Sequence, residues 1–100
     1  MIIDAHVHLG EDVVFDEVNT EELIKYYDEF DIDGGIIQPF IPRPYLEDHR
    51  KIHDRIAKFC KEQWPRKEFF GMASINPHFY PEDYYDEAKH CVKDLGFVAL

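Results

Sequence analysis

The pattern of apolar and polar residues predicts that strands alternate with helices. Short apolar runs are separated by longer segments whose apolar residues recur every three or four positions. Strands that are joined by helices pair in parallel through right-handed crossovers, so the order βαβαβαβ indicates an α/β fold. In chain order the predicted elements are a strand at 2–7, a helix at 20–30, a strand at 34–38, a helix at 45–63, a strand at 69–75, a helix at 81–95, and the start of a fourth strand at 97–100.

Two prolines and one glycine support the boundaries of these elements. Pro65 ends the second helix, because the residue before a proline is pushed out of the α region. Pro81 opens the third helix at a position where its missing N–H costs nothing. Gly96 is predicted to adopt the left-handed conformation that commonly ends a helix.

Two architectures are consistent with this order of elements. One is half of an eight-stranded barrel, and the other is a small open sheet with helices on both faces, which often has a glycine-rich phosphate loop after its first strand. Residues 9–17 (LGEDVVFDE) contain a single glycine among acidic residues, which would repel phosphate. We therefore predict a parallel (β/α) barrel of TIM type. Residues 1–100 would form one domain segment, the N-terminal half of that barrel, with about four strands.

Composition narrows the range of partners and compartments. The net charge of −10 argues against a nucleic-acid partner, which requires a cationic surface. No apolar run approaches the roughly 20 residues that cross a membrane. The first residues carry Asp4, His6 and His8 instead of the basic and apolar regions of a signal peptide, so we expect a cytoplasmic protein. Cys60 and Cys91 lack the spacing of a paired motif and are predicted to be free, buried thiols.

The strongest chemical signal is the pair His6 and His8 at the end of the first predicted strand. Side chains alternate along a strand, so Asp4, His6 and His8 are predicted to form one row, with Asp4 deeper, where it would support the histidines or belong to the core and would not bind a metal directly. The C-terminal ends of parallel strands are where α/β folds bind ligands. Two neutral imidazoles one pleat apart can bind one divalent cation. A pair of histidines with this spacing also arises by chance, as ordinary polar residues at a strand end.

Three segments resemble one family in the expected order. IIDAHVHLG, residues 2–10, resembles the first strand of the amidohydrolase superfamily, in particular its amidohydrolase-related branch, which includes aminocarboxymuconate-semialdehyde decarboxylase. FFGMASINPHF, residues 69–79, is similar to the third strand of that branch, which commonly runs into Asn-Pro. AKHCVKDLGFVAL, residues 88–100, resembles its third helix and the entry to strand four.

This resemblance implies a metal-dependent hydrolase in which His6 and His8 bind a catalytic divalent metal, most often zinc. Activated water would attack an amide, lactone or ester. The same scaffold also supports non-oxidative decarboxylation, and a non-catalytic metal-binding half-barrel subunit is an alternative of another class. TatD-like nucleases and PHP phosphoesterases share the histidine pair, but the lack of cationic residues near it argues against phosphate substrates. The family's other metal ligands lie on later strands, so we expect either a longer chain or a homo-oligomer.

Other polar residues follow the predicted strands at the same edge. Gln38, Asn76 and His78 are therefore candidates for contact with a small-molecule substrate. Asn76 has an alternative role, which is to stabilise the turn before Pro77. His49 and His53 are four residues apart on the second helix but lie among basic residues, and we expect them to be solvated.

Overall fold

The computed structural model describes residues 1–9, 20–41 and 45–100. The acidic loop that favours a barrel lies, from residue 10 onward, outside these ranges. The described residues form an α/β fold with parallel strands and helices in alternation, as the apolar pattern predicts. Its elements are β1 (Ile3–Val7), α1 (Thr20–Glu29), β2 (Gly34–Ile37), α2 (Leu46–Gln63), β3 (Glu68–Gly71), α3 (Pro81–Lys89) and a π-helical turn (His90–Asp94).

The sheet has the strand order β1-β2-β3, and both neighbouring pairs are parallel. The third strand is shorter than its apolar run predicts, because regular pairing with β2 ends at Gly71. The segment after Gly96 follows β3 in parallel through a single bridge between Met72 and Ala99. Ala73 N–H donates to Ala99 O at 2.9 Å in the same region. The described chain therefore has three strands and the parallel start of a fourth, where about four were predicted.

One hydrophobic core joins the helices to the sheet. Tyr27 of α1 and Ile56 of α2 belong to the same cluster as Ile37 of β2 and Phe69 of β3. Alternation along the strands places these two strand residues on one face, so the helices pack against that face. Cys91, in the π-helical turn, belongs to the same cluster and is fully buried. His6, on β1, and His8, just after it, are exposed on the other side of the strand from Val7, which is in the core.

The third helix changes its geometry near its end. The α-helical segment begins at Pro81, as predicted, and is followed by a wider turn in which Leu95 N–H donates to His90 O at 3.0 Å. Gly96 then has a φ of 71°, which confirms the predicted left-handed end of the helix. Among the described residues, no helix combines the length and the apolar character needed to cross a membrane.

Candidate metal centre

His6 and His8 lie at the C-terminal end of β1 and point the same way. Their Nε2 atoms are 3.0 Å apart, and the ring centroids are separated by 4.8 Å. Both side chains are exposed, whereas the intervening Val7 and the following Leu9 are buried. Strand alternation therefore brings the two imidazoles together on the open face while it anchors β1 in the core.

The next strand orients one of these imidazoles. His8 Nδ1 lies 2.7 Å from the backbone carbonyl oxygen of Gln38. A carbonyl oxygen only accepts hydrogen bonds, so in the neutral tautomer that suits this contact Nδ1 carries the proton and Nε2 has the free lone pair. Gln38 is itself held against β1, because its backbone N–H donates to Val7 O and its side chain donates to Ala5 O. A backbone carbonyl on the distal nitrogen is the common way in which proteins orient a metal-binding histidine.

The separation of the two Nε2 atoms fits a shared metal ion. Two nitrogen ligands about 2.1 Å from one zinc ion, at an angle of about 90° to 110°, lie about 3.0 to 3.4 Å apart. The observed distance of 3.0 Å is at the lower end of that range. Without a metal, His8 Nε2 accepts a hydrogen bond from His6, and the proton of this hydrogen bond is on His6 Nε2. Metal binding therefore requires the proton of His6 to move to Nδ1.

Asp4 does not share a row with the histidines, and that prediction is wrong. The pairing of β1 with β2 is irregular between Asp4 and Val7, which disturbs the simple alternation of side chains. One carboxylate oxygen of Asp4 accepts the hydroxyl of Tyr27 on α1 at 2.7 Å, and the other accepts His6 N–H at 3.1 Å. Asp4 thus supports the backbone of His6 and ties it to the first helix.

Of the three residues predicted to contact a substrate, one lies beside the histidine pair and two do not. Gln38 lies directly against His8, as described above. Asn76 and His78 are in the loop after β3, where Asn76 Oδ1 accepts His78 N–H at 2.9 Å. This is the turn arrangement that was the alternative role for Asn76. The hydrogen bonds of these two residues, within the described chain, do not reach His6 or His8.

A second group that could hold a metal ion lies between α2 and α3. His53, Glu87 and Cys91 are buried, and one ligand atom from each lies within 4.8 Å of the others. The expectation that His49 and His53 are solvated is wrong, since they are only 4% and 0% exposed. Their spacing relative to Ile52 and Ile56 places them on the inner side of α2, and that is the signal in the sequence that indicates burial.

The hydrogen bonds of this buried group already satisfy its members. His53 Nδ1–H donates to Glu87 at 2.8 Å, and His53 Nε2 accepts Ser74 N–H at 3.1 Å. To bind a metal through Nδ1, the ring would have to move its proton to Nε2, opposite another donor. Burial, together with Glu87, raises the pKa of the Cys91 thiol to about 12, so its metal-binding thiolate form is disfavoured. The group therefore acts as a hydrogen-bonded connection between helices in the structure as it stands.

Comparisons with protein-family models, curated proteins and solved structures found no significant match to this chain.

Proposed function

We propose that this chain carries the N-terminal metal-binding part of an amidohydrolase-like, metal-dependent hydrolase. The observation that carries the proposal is the convergence of His6 and His8 at the C-terminal end of β1, with Nε2 atoms 3.0 Å apart. The hydrogen bond from His8 Nδ1 to Gln38 O supports it, because it leaves the metal-binding nitrogen unprotonated. Packing of the helices against one face of a parallel sheet is also what the wall of a (β/α) barrel requires.

The residues of this chain have separate roles in the proposed site. A divalent metal, with zinc the best match to imidazole ligands, would supply the Lewis acidity that polarises a carbonyl and activates water. His6 and His8 would hold it through their Nε2 atoms. Gln38 O holds the proton of His8 on Nδ1, and Asp4 fixes the backbone of His6 through its N–H. Burial and the hydrogen bond to Asp4 raise the pKa of Tyr27, so the phenol remains a donor to this carboxylate at neutral pH.

Two histidines are fewer ligands than a catalytic zinc site normally has, which is three. We propose that the others come from further strands of a longer chain or from a second copy. Within the described residues β1 pairs only with β2, so its outer edge is open to another strand. A parallel strand added there would bring its own C-terminal end to the side of the sheet where His6 and His8 lie.

Metal analysis of matched variants tests the proposal. Protein loaded with Zn²⁺ and then dialysed would be analysed by elemental mass spectrometry and calorimetric titration. We expect His6→Ala and His8→Ala each to weaken zinc binding at least about tenfold. His78→Ala, which removes an exposed histidine outside the pair, is the matched control, and Cys91→Ala reports on the buried group. Zinc binding that is lost in Cys91→Ala and retained in His6→Ala would overturn the proposal.

Turnover assays separate the functions that this scaffold supports. Hydrolysis of an aryl ester, a lactone or an anilide that depends on zinc and on His6 supports the hydrolase. Release of CO₂ from an unsaturated carboxylic acid under the same conditions would assign a decarboxylase instead. Zinc bound by His6 and His8 without either reaction would favour the non-catalytic metal-binding subunit.

A further inference from the structure

A cavity lies beside the proposed metal site, at the C-terminal ends of β2 and β3. Its volume is about 360 Å³. Gln38 lines this cavity and also accepts the hydrogen bond of His8 through its backbone carbonyl, so the cavity and the histidine pair share a wall. The volume is within the range of about 300 to 1,000 Å³ for small-molecule sites. Gln38 does not line either of the larger grooves, of about 620 and 860 Å³, and charged side chains line both of them.

The side chains that line the 360 Å³ cavity are mixed in polarity and uncharged. Met72 and Ile75 contribute apolar surface, while Gln38, Ser74 and Tyr84 contribute hydrogen-bonding groups. None of the side chains that line it carries a formal charge at neutral pH. An anionic group held in this cavity, which is open to solvent on one side, would lose part of its hydration without gaining a cationic partner, which is unfavourable. The cavity therefore suits a neutral molecule that has an apolar body and one or two polar atoms.

The segment after β3 that lines the cavity is hydrogen-bonded to the buried side chain of His53. Ser74 N–H donates to His53 Nε2 at 3.1 Å, and His53 is anchored by Glu87. This connection joins the cavity to the packed interface between α2 and α3. A wall whose backbone is hydrogen-bonded to a buried side chain is preorganised for binding, because little ordering remains to be done when a ligand enters.

We infer that this cavity binds the neutral, partly apolar portion of a small amide, ester or lactone substrate, with Tyr84 as a residue that determines specificity. The inference rests on the proposed hydrolase function, since that function places the reacting carbonyl near His6 and His8. Met72 and Ile75 contact the apolar portion, and the hydroxyl of Tyr84 hydrogen-bonds to its polar atom. The structure thereby favours uncharged carbonyl compounds over carboxylates at this position.

Methionine methyl NMR tests the inference directly. The chain has two methionines, Met1 and Met72, so ¹³C-methyl labelling yields two signals. Met72 lines the cavity, whereas Met1 is 90% exposed and serves as an internal control. Benzamide and benzoate have nearly the same shape and differ in charge. Each would be titrated into metal-free protein, into Tyr84→Phe, and into Tyr80→Phe, a matched control at an exposed tyrosine.

We expect benzamide to shift the Met72 signal saturably and to leave the Met1 signal unchanged. Benzoate should bind at least about tenfold more weakly. Tyr84→Phe should weaken benzamide binding about fivefold, the usual effect of one hydrogen bond, and Tyr80→Phe should not change it. A Met72 signal that neither compound shifts, or that benzoate shifts at the same concentrations as benzamide, would overturn the inference.

The titration is independent of the zinc measurements that test the proposed function. It is performed without metal and is read at Met72, which directly follows β3, whereas His6 and His8 lie at the end of β1. If the histidine pair binds zinc but benzamide does not shift the Met72 signal, the inference about the cavity is wrong and the proposed metal site still stands. A benzamide response without zinc binding at His6 and His8 would confirm a binding cavity for neutral compounds and would remove the metal-dependent chemistry.

Discussion

The imidazole of His53 donates its Nδ1–H to a carboxylate oxygen of Glu87 at 2.8 Å, and both side chains are at most 1% exposed. Burial lowers the pKa of His53 and outweighs the opposite effect of the carboxylate, so the ring is neutral and the contact is a hydrogen bond. Arg50, which is half-exposed, lies 3.4 Å from the other carboxylate oxygen. The contact between His53 and Glu87 joins α2 to α3. His53 also accepts the N–H of Ser74, which connects both helices to the loop that follows β3.

Removal of the Glu87 carboxylate should destabilise the fold strongly. We expect Glu87→Ala to lower the free energy of unfolding by about 3 kcal/mol, because it leaves the buried Nδ1–H of His53 without an acceptor. Glu87→Gln should cost less, since its amide oxygen can still accept that hydrogen. Urea unfolding of the three proteins measures the difference. Equal losses in the two variants would contradict this role.

The stability of the protein should depend on the ionisation of His90. Its Nε2 lies 2.9 Å from Asp54, and its Nδ1 lies 2.9 Å from Asp94. Hydrogen bonds to these two carboxylates raise the pKa of His90 above its ordinary value of about 6.5. The raised pKa adds stability that is present below about pH 6.5, where the carboxylates are still ionised, and that is lost as the pH rises through the folded-state value.

Because these contacts are partly exposed, the effect should be modest, about 0.5 to 1 kcal/mol. Unfolding free energies at pH 6 and pH 8.5 would be compared for the natural protein, His90→Gln and His78→Gln. His90→Gln should lose more stability at pH 6 than at pH 8.5, and the exposed control should not. A loss for His90→Gln that is the same at both pH values would exclude an ionised His90 as its source.

Two glycine substitutions should have different costs for different physical reasons. A Cβ atom at Gly34 would lie 1.9 Å from the backbone oxygen of Glu68, so Gly34→Ala requires β2 and β3 to separate. We expect a loss of about 3 kcal/mol, at the upper end of the usual range for overpacking. A Cβ at Gly96 meets no atom within 4 Å, and Gly96→Ala should cost only the left-handed backbone strain of about 1 to 2 kcal/mol. Thermal unfolding of both variants measures which substitution costs more stability. A larger loss for Gly96→Ala than for Gly34→Ala would show that the backbone of Glu68 does not restrict the side chain at residue 34.

Adjacent tyrosines on α1 provide a matched test of the support behind His6. Tyr27 is buried and donates its hydroxyl to Asp4, whereas Tyr26 is 56% exposed. Tyr27→Phe should lower the free energy of unfolding by about 1 to 3 kcal/mol, because one oxygen of the Asp4 carboxylate loses its donor. Tyr26→Phe should change it by less than about 0.5 kcal/mol. Chemical denaturation of both variants measures this difference, and similar values would show that the contact with Asp4 contributes little.

The order of the elements and the meeting of His6 with His8 both follow from local rules. Parallel strands and helices follow from the spacing of apolar residues, and Gly96 ends its helix because glycine tolerates a positive φ. The two imidazoles meet because residues two apart on a strand share a face. Each of these features depends on a few neighbouring residues, so a sequence pattern is sufficient to predict it.

The surroundings of these residues depend on contacts between distant segments. An irregularity in the pairing of β1 with β2 moves Asp4 towards Tyr27, 23 residues away, and no local pattern indicates this. The helical spacing of His53 with Ile52 and Ile56 indicates the buried side of α2, but it does not identify the partner of the imidazole, which is Glu87, 34 residues later. Local sequence patterns therefore predict the strand–helix order and the histidine pair. The partners of the buried polar groups depend on tertiary contacts, because such a group needs a hydrogen-bonding partner that the fold must bring to it from a distant segment.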